Sequence, residues 1–249
     1  MPPLLEICAN SVESAIAAQE GGAGRVELCA GMPEGGTTPS HGEIALARQR
    51  LRIPLNVIIR PRGGDFLYDD LEFEIMQADI LECRKLGVDG VVFGILTADG
   101  QVDAERCRRL VELSRPLSVT FHRAFDMARD PFEALEAVIA CGADRLLSSG
   151  QRATAEAGVG LLAELVQRAA GRIVVMPGAG ISETNIARLA SATGASEFHA
   201  SGRSSRSSGM RFRNPHVSMG GTVVLNEYER SLTEASRVRR YIEALKELP

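Results

Sequence analysis

No apolar run in this sequence approaches the roughly 20 residues that a helix needs to cross a bilayer, so no membrane span is expected. There is no basic excess either. Lysine and arginine number 28 against 32 acidic residues, a net charge of −4, which gives nucleic acid no field to follow. The opening Met1-Pro-Pro-Leu-Leu-Glu-Ile-Cys8 has no basic segment and no long apolar stretch, so no secretory signal is expected. Cysteines number five, an odd count without C-x-x-C spacing. That argues against a disulfide framework and for a reduced, cytoplasmic protein. Of the four histidines, none falls in an H-x-H or H-E-x-x-H pattern, so zinc is weakly signalled. Low-complexity tracts and linkers are missing too, and the 45% hydrophobic content is ample for a core. One domain over residues 1–249 is the expectation.

What the sequence does contain is alternation. Short apolar runs at Leu4–Cys8, Arg25–Cys29, Leu55–Arg60, Gly90–Ile95, Leu117–His122, Arg145–Ser149, Ile173–Met176 and Glu197–Ser201 read as strands. Helical spacing lies between them, as in Phe73/Met76/Ile80 and Cys107/Leu110/Val111, and Val238/Tyr241/Ile242/Leu245 closes the chain. Ser11 with Glu13, Ser40 with Glu43, and Ser182-Glu183 look like helix starts. A weak repeat, Gly22-Ala-Gly-Arg25, Gly87-Val-Asp-Gly90, Gly142-Ala-Asp-Arg145 and Gly194-Ala-Ser-Glu197, ends a helix and opens every second strand. Eight β-then-α units in this length predict an α/β protein with a single (β/α)8 TIM-type barrel. The alternative is a doubly wound sheet, but that fold usually has a Gly-rich loop after its first strand, where this chain has Cys-Ala-Asn. Residues 202–233, before the last helix, read as a long loop with Arg203, Arg206, Arg211 and Arg213.

In such a barrel the C-terminal strand ends build the site, and alternate residues point inward. Parity puts Glu6 and Cys8 on one face of the first strand, and Arg25, Glu27 and Cys29 on one face of the second. Turned inward, they leave Leu5, Ile7, Val26 and Leu28 to pack under the helices. The same rule sends Thr120 and His122, and Glu197, His199 and Ser201, inward. Arg60, Arg62, Arg123 and Asp126 then fall on the rim, with the Gly178–Gly180 turn after the seventh strand.

The stretches "LEICANSVESA", "GGAGRVELC", "EGGTTPS", "IRPRGGDFLYDD", "VTFHRAFDM", "LSSGQ", "VMPGAGI", "EFHAS" and "SGMRFRN" together resemble the CutC family of copper homeostasis proteins over nearly the whole chain. The resemblance implies a TIM-type barrel, a cytoplasmic location, assemblies of two or four chains and a copper-linked role. It also implies Cys8 and Cys29 as Cu(I) ligands.

The residues allow other readings. Two thiols on neighbouring strands suit Cu(I), a soft ion, but free cysteine often only fills space. Cys83, Cys107 and Cys141 fall in helical patterns and are expected to be structural. The interior acids can be ion-pair partners for Arg60, Arg62 and Arg123. An enzyme acting on a small anionic substrate, phosphorylated or not, is the second reading. In it Glu27 and His122, with Asp126, do acid–base work, while Arg60, Arg62, Arg123, Gly178, Gly180 and His199 hold the anion. A third reading, an oligomeric scaffold, needs no ligand.

Overall fold

A computed structural model describes residues 3–217, 219 and 226–246. Eight parallel strands form its sheet: β1 (Leu4–Ala9), β2 (Arg25–Leu28), β3 (Leu55–Ile58), β4 (Gly90–Phe93), β5 (Ser118–Phe121), β6 (Arg145–Ser148), β7 (Val174–Pro177) and β8 (Glu197–Ala200). Their order is β7-β6-β5-β4-β3-β2-β1-β8, and β7 packs beside β8 to bring the sheet to near closure. A helix follows each strand: α1 (Val12–Glu20), α2 (His41–Arg50), α3 (Asp70–Leu86), α4 (Ala104–Ser114), α5 (Pro131–Cys141), α6 (Val159–Ala169), α7 (Ile186–Thr193) and α8 (Ala235–Lys246). This is the (β/α)8 barrel the alternation predicts. Parallel neighbours need a crossover, and a helix in each crossover covers the outer face of the sheet.

Local signals set the helix ends. The Ser11 side chain accepts from the Ser14 amide, and Ser40 with Glu43 forms a reciprocal capping box. Gly22, Gly87, Gly142 and Gly194 all take positive φ, between +68° and +93°, where a Cβ would be strained. The third expected start lies elsewhere. Ser182 stands before a turn that begins at Glu183, α7 begins at Ile186, and Glu183 pairs with Arg237 and Arg240 of α8. The long segment before α8 is not a loop throughout: β9 (Arg203–Ser207) pairs antiparallel with β10 (Glu229–Thr233). Residues 218 and 220–225 within it lie outside the described residues.

The predicted parity holds. Leu5, Ile7, Val26, Leu28, Val57 and Val91 are buried under the helices. Glu6, Cys8, Glu27 and Cys29 are buried on the opposite, interior face of their strands. Cys83, Cys107 and Cys141 are buried on helices.

Candidate functional site

The interior has two polar layers, and strand register sets both. In the lower layer Glu6 stands opposite Arg25 on β2 and opposite His199 on β8. Arg25 Nε donates to Glu6 at 2.5 Å, and its Nη2 donates to Glu197. Arg145 of β6 reaches the same Glu197 and the hydroxyls of Ser118 and Thr120. Burial alone would raise the Glu6 carboxyl, but Arg25 and His199 outweigh it and hold it down at about 2. These partners differ from the expected ones, since Arg60, Arg62 and Arg123 do not reach Glu6. The alternation that placed Arg25 inward was legible, but Arg145 carried no motif to single it out.

The upper layer carries the chemistry. Cys8 stands opposite Glu27, and Cys29 comes two residues further along β2. The two sulfurs nevertheless meet, 3.7 Å apart. With strands about 4.8 Å apart and a rise of about 3.3 Å per residue, their Cα atoms are separated by roughly 8 Å. That exceeds what a disulfide spans without backbone movement. His199 stands between two acids, its Nδ1 2.7 Å from Glu6 and its Nε2 3.4 Å from Glu27. Cys8, Glu27 and His199 each bring one ligand atom within 4.8 Å of the others.

Their charges follow from their contacts. The contact with Cys29, then the His199 charge, hold the Cys8 thiol well below its usual value despite burial. The Cys29 thiol is pushed up by the same sulfur contact and by burial. Burial pushes Glu27 up to about 8. Burial opposes charge on His199, yet Glu27, Cys8 and Glu6 outweigh it and hold the imidazole well above its usual range. Arg25, Arg145 and His199 thus face Glu6, Glu197 and the Cys8 sulfur, and burial keeps Glu27 protonated at neutral pH.

A cavity of about 340 Å³ opens above this layer at the C-terminal end of the strands. Cys8, Glu27, Cys29 and His199 form its floor, and Arg60, His122, Arg123, Gly180 and Arg203 contribute to its wall. The expected convergence at the mouth therefore holds for Arg60, Arg123 and Gly180. It fails for Arg62, which turns away to Glu72 at the start of α3 and stacks over Tyr68. It fails for Gly178 too, whose amide is taken by the Ser148 carbonyl at 2.9 Å. A Cβ at Gly178 would also lie 2.5 Å from Leu147, so this glycine serves close packing.

His122 is not suited to acid–base work near neutrality. Burial, then the nearby Arg60 charge, pushes its imidazole down to about 3. Its Nδ1 accepts from the Ala124 amide at 3.2 Å, so the ring proton resides on Nε2, which has no partner. The ring packs 5.0 Å from that of Phe66. A Cβ at Gly94 would stand 2.7 Å from Nδ1, so glycine follows β4 where His122 needs room. Asp126 is also outside the expected role. It accepts from the Ser148 and Ser149 hydroxyls, the Ser149 and Gln151 amides and Arg123 Nε, and so ties the loop after β6 to the rim. Sequence reasoning missed Phe66, which covers both His122 and Arg60. Its signal was one aromatic directly after Arg-Gly-Gly-Asp.

Known proteins are similar to this chain over most of its length. The CutC family model matches residues 3–204. A protein of Bacteroides fragilis named as a CutC family protein is 59% identical over 243 residues, covering 97% of each chain. A human protein named copper homeostasis protein cutC homolog is 52% identical over 236 residues, 95% of this chain and 86% of its own. The solved structure of CutC from Streptococcus agalactiae superposes with a TM-score of 0.76 at 35% identity, over 80% of this chain and 98% of that one. By sequence and by fold, the chain belongs to the CutC family.

Proposed function

We propose that this protein takes part in copper homeostasis by binding Cu(I) through Cys8 and Cys29 at the floor of the barrel mouth. The observation that carries this reading is the 3.7 Å sulfur pair opening into a cavity, with the Cys8 thiol held well below its usual value by the Cys29 contact and His199. With metal–sulfur bonds of about 2.3 Å, a tetrahedral angle puts two sulfurs about 3.8 Å apart, so the pair can chelate with little movement. Binding must displace the Cys29 proton, so affinity should fall at low pH. Thiolate also suits a soft ion over Mg²⁺ or Ca²⁺. His199 stands ready as a third ligand once it gives up its proton. The test is competition with a Cu(I) chelator. Cys8→Ser or Cys29→Ser is expected to lose most of the affinity, and a double variant that binds as well as wild type overturns the reading.

The second reading is an enzyme acting on a small anionic substrate, and one observation favours it. Glu27 is a buried carboxyl at the cavity floor that stays protonated at neutral pH, a perturbation typical of catalytic acids. Screening anionic metabolites for turnover tests it, and turnover unaffected by Glu27→Gln counts against it. The family's character also supports a cytoplasmic homodimer or homotetramer. Light scattering of the purified protein checks the assembly.

A further inference from the structure

A copper ion occupies a small fraction of a cavity of about 340 Å³. The wall above the thiols has features that no metal at Cys8 and Cys29 uses. Among the described residues two buried N–H groups there have no hydrogen-bond partner, and a third such atom, the Tyr68 hydroxyl, lies outside the cavity lining. One of the two is His122 Nε2, whose residue is 5% exposed, and the other is Nε of Arg60, also 5% exposed. Phe66 packs against both side chains, its centroid 5.0 Å from the His122 ring and 5.0 Å from the Arg60 guanidinium. Native proteins leave few buried polar atoms unpaired, because each costs the desolvation of a lost hydrogen bond. Two such atoms beside one ring in one cavity point to a group that arrives from solution.

The charge of the wall names that group. The Nη atoms of Arg60 are held by the carbonyls of Glu34, Gly36 and Gly64, so its charge meets dipoles but no carboxylate. Arg203 lines the same cavity, and among the described residues no carboxylate pairs with it. Arg123 is balanced by Asp126. Arg60 and Arg203 therefore stand at the cavity wall with no carboxylate partner among the described residues.

We propose that the upper wall of the mouth is an oxyanion subsite, in which His122 Nε2–H, Arg60 and Arg203 receive the phosphate or carboxylate of a small molecule that lies over the thiol pair. His122 is suited to this because it stays neutral. Its Nε2–H is a fixed donor that carries no charge of its own to bury. The proposal deepens the second reading by naming the group recognised and the residues that recognise it, and it requires neither copper nor turnover.

The experiment is calorimetric titration of the metal-free protein with inorganic phosphate and, separately, with malonate, at constant ionic strength. Saturable binding of either is expected, and the tighter of the two identifies the group as phosphate or carboxylate. Arg203→Met, a change at a half-buried position that disturbs no ion pair, should weaken binding by about tenfold or more. The Nε2–H proton resonance of His122 in wild type should move on saturation, a readout that needs no variant to fold. The Cys8→Ser/Cys29→Ser protein should still bind the anion, which separates this subsite from the copper site. No saturable binding of either anion overturns the proposal. So does binding that is indifferent to Arg203→Met and leaves the His122 resonance in place.

Discussion

The lower and upper layers of the barrel interior use the same kinds of residue and end in opposite states. Below, Glu6, Arg25, Arg145 and Glu197 form a closed chain in which every charge meets its opposite. Above, two thiol sulfurs touch, a carboxyl stays protonated at neutral pH, and two N–H groups find no acceptor among the described residues. A satisfied buried network fixes structure, and an unsatisfied one invites a ligand. The difference locates the site better than the motifs do. Arg62 belongs to a specific-looking motif and is spent on α3, whereas Arg203 belongs to an unremarkable segment and faces the cavity.

The sharpest way to break the comparison is to open the lower layer. Arg25→Met leaves Glu6 with His199 alone and Glu197 with Arg145 alone. Removing one partner of a buried pair costs on the order of 3–5 kcal/mol. Chemical denaturation should show that loss, and a variant as stable as wild type would mean that the floor is not the structural half. Gly94→Ala should be milder. Its new Cβ would meet His122 Nδ1 at 2.7 Å, and overpacking of this kind costs about 1–3 kcal/mol. It should also disturb anion binding at the upper wall, because the ring must move. Unchanged calorimetric affinity would place His122 outside the subsite.

The pH dependence of stability sharpens the comparison further. The His122 imidazole is depressed from about 6.5 in the unfolded chain to about 3 in the fold. The unfolded state therefore binds the extra proton first as pH falls. The contribution of neutral His122 to stability is fully present above pH 6.5 and is lost progressively between pH 6.5 and 3. Denaturation of wild type and His122→Asn across that range should give curves that converge on acidification. Parallel curves would mean that His122 is solvated and unremarkable. The smallest effect belongs to Arg62→Ala. An exposed ion pair is worth about 1 kcal/mol or less, so stability should barely change and anion binding should not. A large loss of binding would return Arg62 to the mouth.

The fold was legible because each level of the sequence says the same thing: apolar runs, helical spacing and a glycine at every second αβ junction. Parity also placed Glu6, Cys8, Glu27 and Cys29 correctly, since a strand has only two faces. Three-dimensional relations were not legible. The sulfurs of Cys8 and Cys29 are offset by two positions along adjacent strands, and only side-chain direction brings them together. His122 sits at its expected strand end, but its proton affinity depends on burial and on Arg60, which sequence spacing does not report. Asp126 looked like a catalytic partner three residues after Arg123, yet it faces the loop after β6. Arg203 and Arg206 were both candidates for the mouth, but nothing in the spacing separated them, because the β9–β10 pairing that turns Arg203 to the cavity has no strong pattern.

The central claim is that the upper layer holds a monovalent soft ion between two sulfurs. X-ray absorption at the copper edge of the Cu(I)-loaded protein tests it most directly. The account predicts a first coordination sphere with two sulfur scatterers that disappear in the Cys8→Ser/Cys29→Ser protein. A sphere of nitrogen and oxygen alone, or a spectrum that the double substitution leaves unchanged, would contradict it.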